Sequence, residues 1–115
     1  MRSKIAGILE PIAEDEAIAG VVLYRIDGTL IYSKLKRDPK LVLALHNLEE
    51  QIKSMLYYIF TRNLKDSVIE TADFRFDLRP ISKTLVLGII YYPSHYHKLD
   101  VDIKTIINNL RSYLF

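Results

Sequence analysis

Between Pro39 and Thr61 the sequence keeps one apolar stripe at helical period, and β-type runs flank it on both sides. On a wheel of about 100° per residue, Leu41, Ala44, Leu45, Leu48, Ile52, Met55, Leu56 and Ile59 fall on one broad face. The segment would make roughly six turns, long for a chain of this size. Asp38 suits the N-cap and Pro39 the first helical position. A helix this greasy on one side needs a sheet to lie on, and the flanking runs supply it.

Ile18 to Ile26 reads IAGVVLYRI, rich in Val and Ile and too short for a core helix, so a strand buried on both faces is predicted. Asp27-Gly28 and then Thr29 to Ser33 follow. An Asp-Gly pair between two β-type runs predicts a hairpin in which both turn residues take positive φ. Beyond the helix, Val68 to Ala72 reads as a strand. Phe74, Phe76 and Leu78 then alternate with Arg75, Asp77 and Arg79, the pattern of one dry and one wet face. Pro80 ends that strand, and Thr84 to Tyr92 is a second strongly apolar run, stopped by Pro93. Ile5, Ile8, Leu9 and Ile12 predict a short opening helix whose length Pro11 limits. Ile103, Ile106, Ile107, Leu110 and Leu114 predict a closing one capped by Asp100.

The order is αββαβββα. Five strands cannot hide their apolar faces alone, so an α+β (α/β) domain is expected, with helices covering the sheet. No repeat, low-complexity stretch or linker divides residues 1–115, which read as a single domain.

Composition narrows the chemistry. Half of the residues are hydrophobic and 26% are charged, which is globular rather than disordered. With no cysteine there is no disulfide, thiolate metal site or cysteine nucleophile. The 16 basic and 14 acidic residues are interspersed for a net charge of +2, without the basic patch of a nucleic-acid binder. Lys34, Lys36, Arg37 and Lys40 form the densest cluster, read as a solvated strand-to-helix loop rather than a phosphate or membrane-surface site. The opening MRSKIAGILEPI lacks the long apolar run of a signal peptide, and no stretch suffices for a membrane span. The expectation is a cytoplasmic protein without membrane insertion.

No acid-base pair is recognisable among Asp15, Asp27, Asp77 and Glu70, and Ser33, Ser67 and Ser82 lack a G-x-S-x-G setting. Four glycines leave no phosphate-binding loop, and the P-loop and dinucleotide fingerprints are absent. His95-Tyr96-His97 has the only metal-like spacing, but a third ligand, Asp100 or His46, would have to come from elsewhere. No catalytic residue, resident metal or cofactor is therefore expected, and the chain does not read as an enzyme. Arg75 and Arg79 on the wet strand face read as solvated rather than as a site for an acidic partner.

The element order, together with GVVLYRIDGTLIYS and its Gly20, Asp27, Gly28 and Ser33, resembles the roadblock / dynein light chain family. The chain's minimal length suits a prokaryotic roadblock domain protein. The related longin and profilin-like folds share parts of the layout. The resemblance implies a sheet ordered second strand, first, fifth, fourth, third, with one long helix on one face and the two terminal helices on the other. It further implies a homodimer formed through the third strand, with the long helices side by side, acting as a regulator or scaffold for a small Ras-like GTPase. Some bacterial relatives accelerate GTP hydrolysis by ordering the GTPase's own residues, without contributing an arginine finger.

Two features of the residues agree with a dimer. Leu43, Asn47, Gln51, Ser54 and Tyr58 form an uncharged stripe beside the core stripe of the long helix, where a solvated face normally carries charge. An ordinary polar surface is the alternative reading. The segment around Ser67, Val68, Ile69, Glu70 and Thr71 would be an unpaired edge in a monomer, and such edges tend to pair. The expected dimer interface is thus Asn47, Gln51, Ser54 and Tyr58 with that edge. The expected partner surface is Leu43, His46, Glu50, Lys53 and Tyr57 on the outward side of the helix. Tyr57, Tyr58 and Phe60 serve either as interface anchors or as closure of the core. Two other functional classes stay open. One is a small-ligand or metal sensor on a profilin-like scaffold, using His95, His97, Tyr91, Tyr92 and Tyr96. The other is a longin-type trafficking module.

Overall fold

A computed structural model describes residues 2–93 and 102–114. Its elements are α1 (Arg2–Glu14), β1 (Ile18–Arg25), β2 (Leu30–Leu35), α2 (Pro39–Asn47), α3 (Glu49–Arg62), β3 (Ser67–Glu70), β4 (Arg75–Pro80), β5 (Leu85–Tyr91) and α4 (Ile103–Leu114). The five strands form one sheet in the order β2-β1-β5-β4-β3, antiparallel throughout. The two strands most apolar on both sides, β1 and β5, lie at its centre.

Strand alternation sends Val21, Leu23, Leu87, Ile89 and Tyr91 to one face, where Ile5, Leu9 and Ile12 of α1 and Ile103, Ile106, Ile107 and Leu110 of α4 close over them. The opposite face meets α2 and α3 in two clusters. Leu41 packs with Ala19, Phe74, Phe76 and Ile90, while Ile52, Leu56 and Ile59 pack with Leu78 and Val86. Gly88 sits in the middle strand beneath α3, where a Cβ would stand 2.6 Å from Val22 Cγ2. A larger residue there would have to push the Val22 and Leu78 side chains aside.

Several local expectations change. The long helix is interrupted at Leu48, whose φ of −97° and ψ of 4° leave the helical basin. Its hydrogen bonding carries on, with Leu48 N donating to Ala44 O and Ile52 N to Leu48 O, each at 2.9 Å. Leu48 packs into both clusters on this face. A sheet twists, so a straight rod cannot hold one stripe against both clusters; the break falls where the contact changes over. Glu49 and Glu50 then open α3 with the charge that suits a helix start. Asp38 caps α2 as expected, its carboxylate accepting from Lys40 N at 3.0 Å.

Pro11 does not end the first helix, which runs on to Glu14. The proline removes one hydrogen bond, but Ile12 and Ala13 are buried just beyond it and hold the last turn down. In the β1–β2 hairpin Gly28 takes φ +93°, while Asp27 keeps a negative φ. Gly28 N donates to Arg25 O at 2.9 Å and Arg25 N to Thr29 O at 2.8 Å, which makes a three-residue loop instead of the expected two-residue turn. Asp27 accepts from Thr29 N at 2.9 Å and pairs with Arg25 at 2.8 Å. These bonds hold its carboxyl below the ordinary aspartate range. The last helix is capped by Asp102, which accepts from Thr105 N and Thr105 Oγ1. Asp100 lies outside the described residues.

The expected wet face of β4 is not uniformly wet. Asp77 is only 4% exposed and accepts from Arg75 Nε at 2.9 Å, with Arg79 Nη2 at 3.9 Å. A buried carboxylate needs such partners, because an unpaired charge is costly away from water.

Candidate interaction surface

β3 is an edge strand of four residues, set beside the flank of α2 and α3. Its hairpin to β4 closes with Thr71 N donating to Phe74 O at 2.8 Å, and the Thr71 hydroxyl bonds Phe74 N and O as well. In an antiparallel ladder, hydrogen-bonded pairs alternate with non-bonded ones. Counting from Thr71–Phe74, the pairs Ile69–Phe76 and Ser67–Leu78 bond inward, so Val68 and Glu70 turn their backbone groups outward.

The expected interface residues separate by depth. Ser67 is buried and Ile69 packs beneath the helix, and the backbone of both bonds inward to β4, so neither presents backbone groups to the free edge. Val68 is 43% exposed, and Thr71 lies in the turn beyond the strand. Across the groove from Ile69 stand Asn47, Gln51, Ser54 and Tyr58, all exposed, with Met55 at the base. A second hollow continues the groove past Leu43 to Ala72 and Phe74. The uncharged stripe therefore runs along the unpaired edge, and both border the same surface. Leu43 and Tyr58 add large exposed apolar side chains to it, at 60% and 41% exposure.

Leu43, His46, Glu50, Lys53 and Tyr57 form the outer crest of α2 and α3, and all are exposed. Glu49 and Lys53 form a 3.4 Å pair one helical turn apart. Tyr57 and Phe60 stay open to solvent and do not close the core. Tyr58 meets Tyr57 edge-on at 5.9 Å and carries Arg62 over its ring at 5.2 Å.

The side of α3 facing β2 holds a feature the sequence did not signal. A cavity of about 330 Å³ opens between helix and sheet, with Val22, Leu35, Leu45, Ile52 and Leu56 as apolar walls and His46, Glu49 and Lys53 at the rim. Tyr24 also lines it, and burial, then the Glu49 charge, raise its phenol above the usual value. Its walls come from four elements, β1, β2, α2 and α3, that only the fold brings together.

Two of the five sensor residues, Tyr91 and Tyr92, can be placed. Tyr91 is 1% exposed in the α1/α4 core, and Tyr92 packs against Phe74 with Lys36 over its ring. His95, Tyr96 and His97 lie outside the described residues. Among the described residues no three acidic or histidine side chains converge on a metal site, and no helix is long and apolar enough to cross a membrane.

A search of curated protein sequences finds no match. Solved structures share the fold. MglC from Myxococcus xanthus superposes with a TM-score of 0.77 at 13% identity, covering 95% of this chain and 98% of its own. MglB from Myxococcus xanthus gives 0.71 at 16% identity, covering 97% and 95%. A Roadblock/LC7 domain from Streptomyces avermitilis gives 0.59 at 13% identity, covering 99% and 97%. A family model described as AF0774-like protein matches residues 2–104. The chain thus belongs to the AF0774-like protein family and has the fold of a prokaryotic roadblock-domain protein.

Proposed function

We propose that this chain is a non-catalytic, homodimeric regulator or scaffold for a small Ras-like GTPase. The observation that carries the reading is the coincidence of two unsatisfied surfaces. The outward backbone of Val68 and Glu70 adjoins the uncharged stripe Asn47, Gln51, Ser54 and Tyr58. Pairing two copies through β3 satisfies the first and covers the second, making one continuous sheet with the helices adjacent. A stable association of this kind needs about 800 Å² per partner, so the helix flank has to contribute beyond a four-residue strand edge. Self-association occurs on this scaffold elsewhere, since one related structure is of MglB in a tetrameric arrangement.

In the dimer the crest residues His46, Lys53 and Tyr57 lie on the uncovered side of the paired helices, with Leu43 and Glu50 at the margin of the covered groove. Mixed charge around exposed aromatics suits a protein partner. The GTPase as that partner rests on the resemblance to the roadblock family and on the fold shared with MglB and MglC. The effect on the GTPase is either altered hydrolysis, altered nucleotide state or tethering.

Light scattering at micromolar concentration should return twice the chain mass, and a single-copy result rejects the dimer. Pull-down and turnover assays with the Ras-like GTPases of the same genome, loaded with GDP or a GTP analogue, should capture at least one nucleotide state. Tyr57→Ala should abolish that capture. Failure to bind any of them in either state rejects the partner class and leaves the dimer standing.

A second reading has its own observation. The cavity under α3 is of a size that takes a small ligand and has apolar walls with a polar rim. A thermal-shift screen sensitive to Ile52→Trp, which would fill it, tests that reading.

A further inference from the structure

The floor of the cavity under α3 is the inner face of β2, which the helix layer only half covers. Ser33 stands opposite Val22 and Leu30 opposite Tyr24, and the ladder slips by one residue between these pairs. That bulge turns both Leu30 and Ser33 to the helix side, where they line the hollow with Leu35. α3 settles instead over β1, β5 and β4, through Tyr24, Val86 and Leu78. Ser33 is therefore exposed, and Leu30 is 48% exposed, on a sheet face that elsewhere is core. A Cβ on Gly28 would stand 3.7 Å from Lys53 Cγ, so the loop and that stem close the hairpin end.

Two polar groups in the hollow have nothing to bond. Among the described residues, neither the Tyr24 phenol nor the Ser33 hydroxyl has a hydrogen-bond partner. Among those residues only Arg79 Nε combines full burial with the lack of a partner, so the Tyr24 oxygen can be reached from outside. Burial and the Glu49 charge raise the phenol's pKa, which keeps it protonated and a donor at neutral pH. The charges at the mouth offset each other, since Glu49 pairs with Lys53 at 3.4 Å. An anionic ligand would meet the Glu49 carboxylate near the phenol, and a cationic one would meet the Lys53 ammonium. A neutral ligand disturbs neither. The volume of about 330 Å³ lies at the low end of ligand sites. It holds on the order of ten non-hydrogen atoms, at about 30 Å³ each. A strand of another chain suits the hollow less, because it would desolvate the exposed Lys34 on the free edge of β2.

We propose that this hollow binds a neutral, largely apolar small molecule ending in one hydrogen-bonding oxygen, of the class of alcohols, phenols and ketones. The side chains of Val22, Leu45, Ile52 and Leu56 take its apolar body. The Tyr24 phenol donates to its oxygen, and the Ser33 hydroxyl lies on the same floor. The inference rests on the small-ligand reading of the cavity and is independent of the GTPase and of the dimer.

The test uses 1-octanol, octanoate and octylammonium, which share one apolar chain and differ in the charge of the end group. Each is titrated into the full ¹⁵N-labelled chain at fixed pH and ionic strength. The amides of Gly28, Ser33 and Ile52 report the hollow, and those of Val68 and Glu70 serve as a remote control. 1-Octanol should shift the first set saturably, leave the second in place, and bind about tenfold more tightly than either ion. Tyr24→Phe removes one donor and keeps the ring, and should weaken 1-octanol about five- to tenfold, the worth of one hydrogen bond. Lys53→Ala bares Glu49 and should turn the preference to octylammonium. Ile52→Trp fills the hollow and should abolish binding; Ser33→Trp does so from an exposed position should Ile52→Trp not fold. Equal affinity for the three probes, preference for an ion in the wild type, or a Tyr24→Phe protein that binds 1-octanol undiminished overturns the ligand class while leaving the cavity a binding site. No saturable shift with any of the three overturns the cavity reading as well. Shifts of the same amides on raising protein concentration alone would mean that a second copy fills the hollow, and would overturn the proposal.

Discussion

The sheet has two free edges, and they are finished differently. β2 has six residues, with Lys34 exposed on the strand and Lys36 and Arg37 just past its end. β3 has four residues with no basic side chain, and its one charge, Glu70, is partnered by Arg75 on its own neighbouring strand. Beside β2 the helix leaves a cavity rimmed by His46, Glu49 and Lys53, whereas beside β3 it presents mainly neutral side chains, Asn47, Gln51, Ser54, Met55 and Tyr58, with Glu50 at the margin. Both edges expose backbone, so backbone alone cannot decide which one recruits a second chain. Lysine guards the first, since pairing there would desolvate it, and nothing comparable guards the second.

That contrast can be broken from the centre outward. Gly88→Ala forces a methyl against Val22 and should cost about 1–3 kcal/mol of folding stability, weakening both edges alike in a denaturant melt. Exchanging the edges' characters is more selective. Val68→Lys gives β3 the guard of β2 and should raise the dimer dissociation constant at least about tenfold, read by sedimentation, with the monomer still folded. Lys34→Val removes the guard from β2 and should produce species larger than a dimer. Preserved dimer in Val68→Lys would place the interface elsewhere. Tyr58→Ala, on the helix flank, should weaken the dimer by about 1–2 kcal/mol without changing the chain's melting temperature at dissociating concentrations.

The smallest effect separates the two hairpins by pH. The β1–β2 loop is held by the ionised Asp27, whose carboxyl titrates below the ordinary aspartate value. Such a group stabilises above its unfolded pKa and loses that contribution as pH falls through the depressed folded value, hence below about pH 4. The β3–β4 turn is held by the neutral Thr71 hydroxyl. Hydrogen exchange should show Gly28 and Thr29 losing protection in that window while Thr71 and Phe74 keep theirs.

The architecture was legible because it is written in periodicity. The stripe from Leu41 to Ile59 and the alternation from Phe74 to Leu78 each need only local spacing to read, and the sheet order came from the family resemblance. Asp27-Gly28 announced a hairpin, but its loop type depends on Arg25 and Thr29 closing around it, which composition does not express. The break at Leu48 involves no proline or glycine and follows from sheet twist, a property of the assembled layers. Asp77 looked solvated because alternation tells inside from outside only when the outer face is bare. The cavity beside Tyr24 and the orphaned Arg79 Nε arise where elements distant in sequence meet. The crest and flank of the long helix were legible as faces, since charge and its absence are visible on a wheel.

The central ladder joins Ile18–Arg25 to Leu85–Tyr91. As the ribosome releases this chain, β1 must wait for a partner more than sixty positions later. The two hairpins can form early, yet neither can bury its apolar sides until the last strand emerges. Folding therefore comes late in synthesis and at the slow end for a chain this small, as non-local pairing dictates. During that delay the lysines near β2 also limit premature association between nascent copies, so the same side chains that shape the mature surface protect its birth.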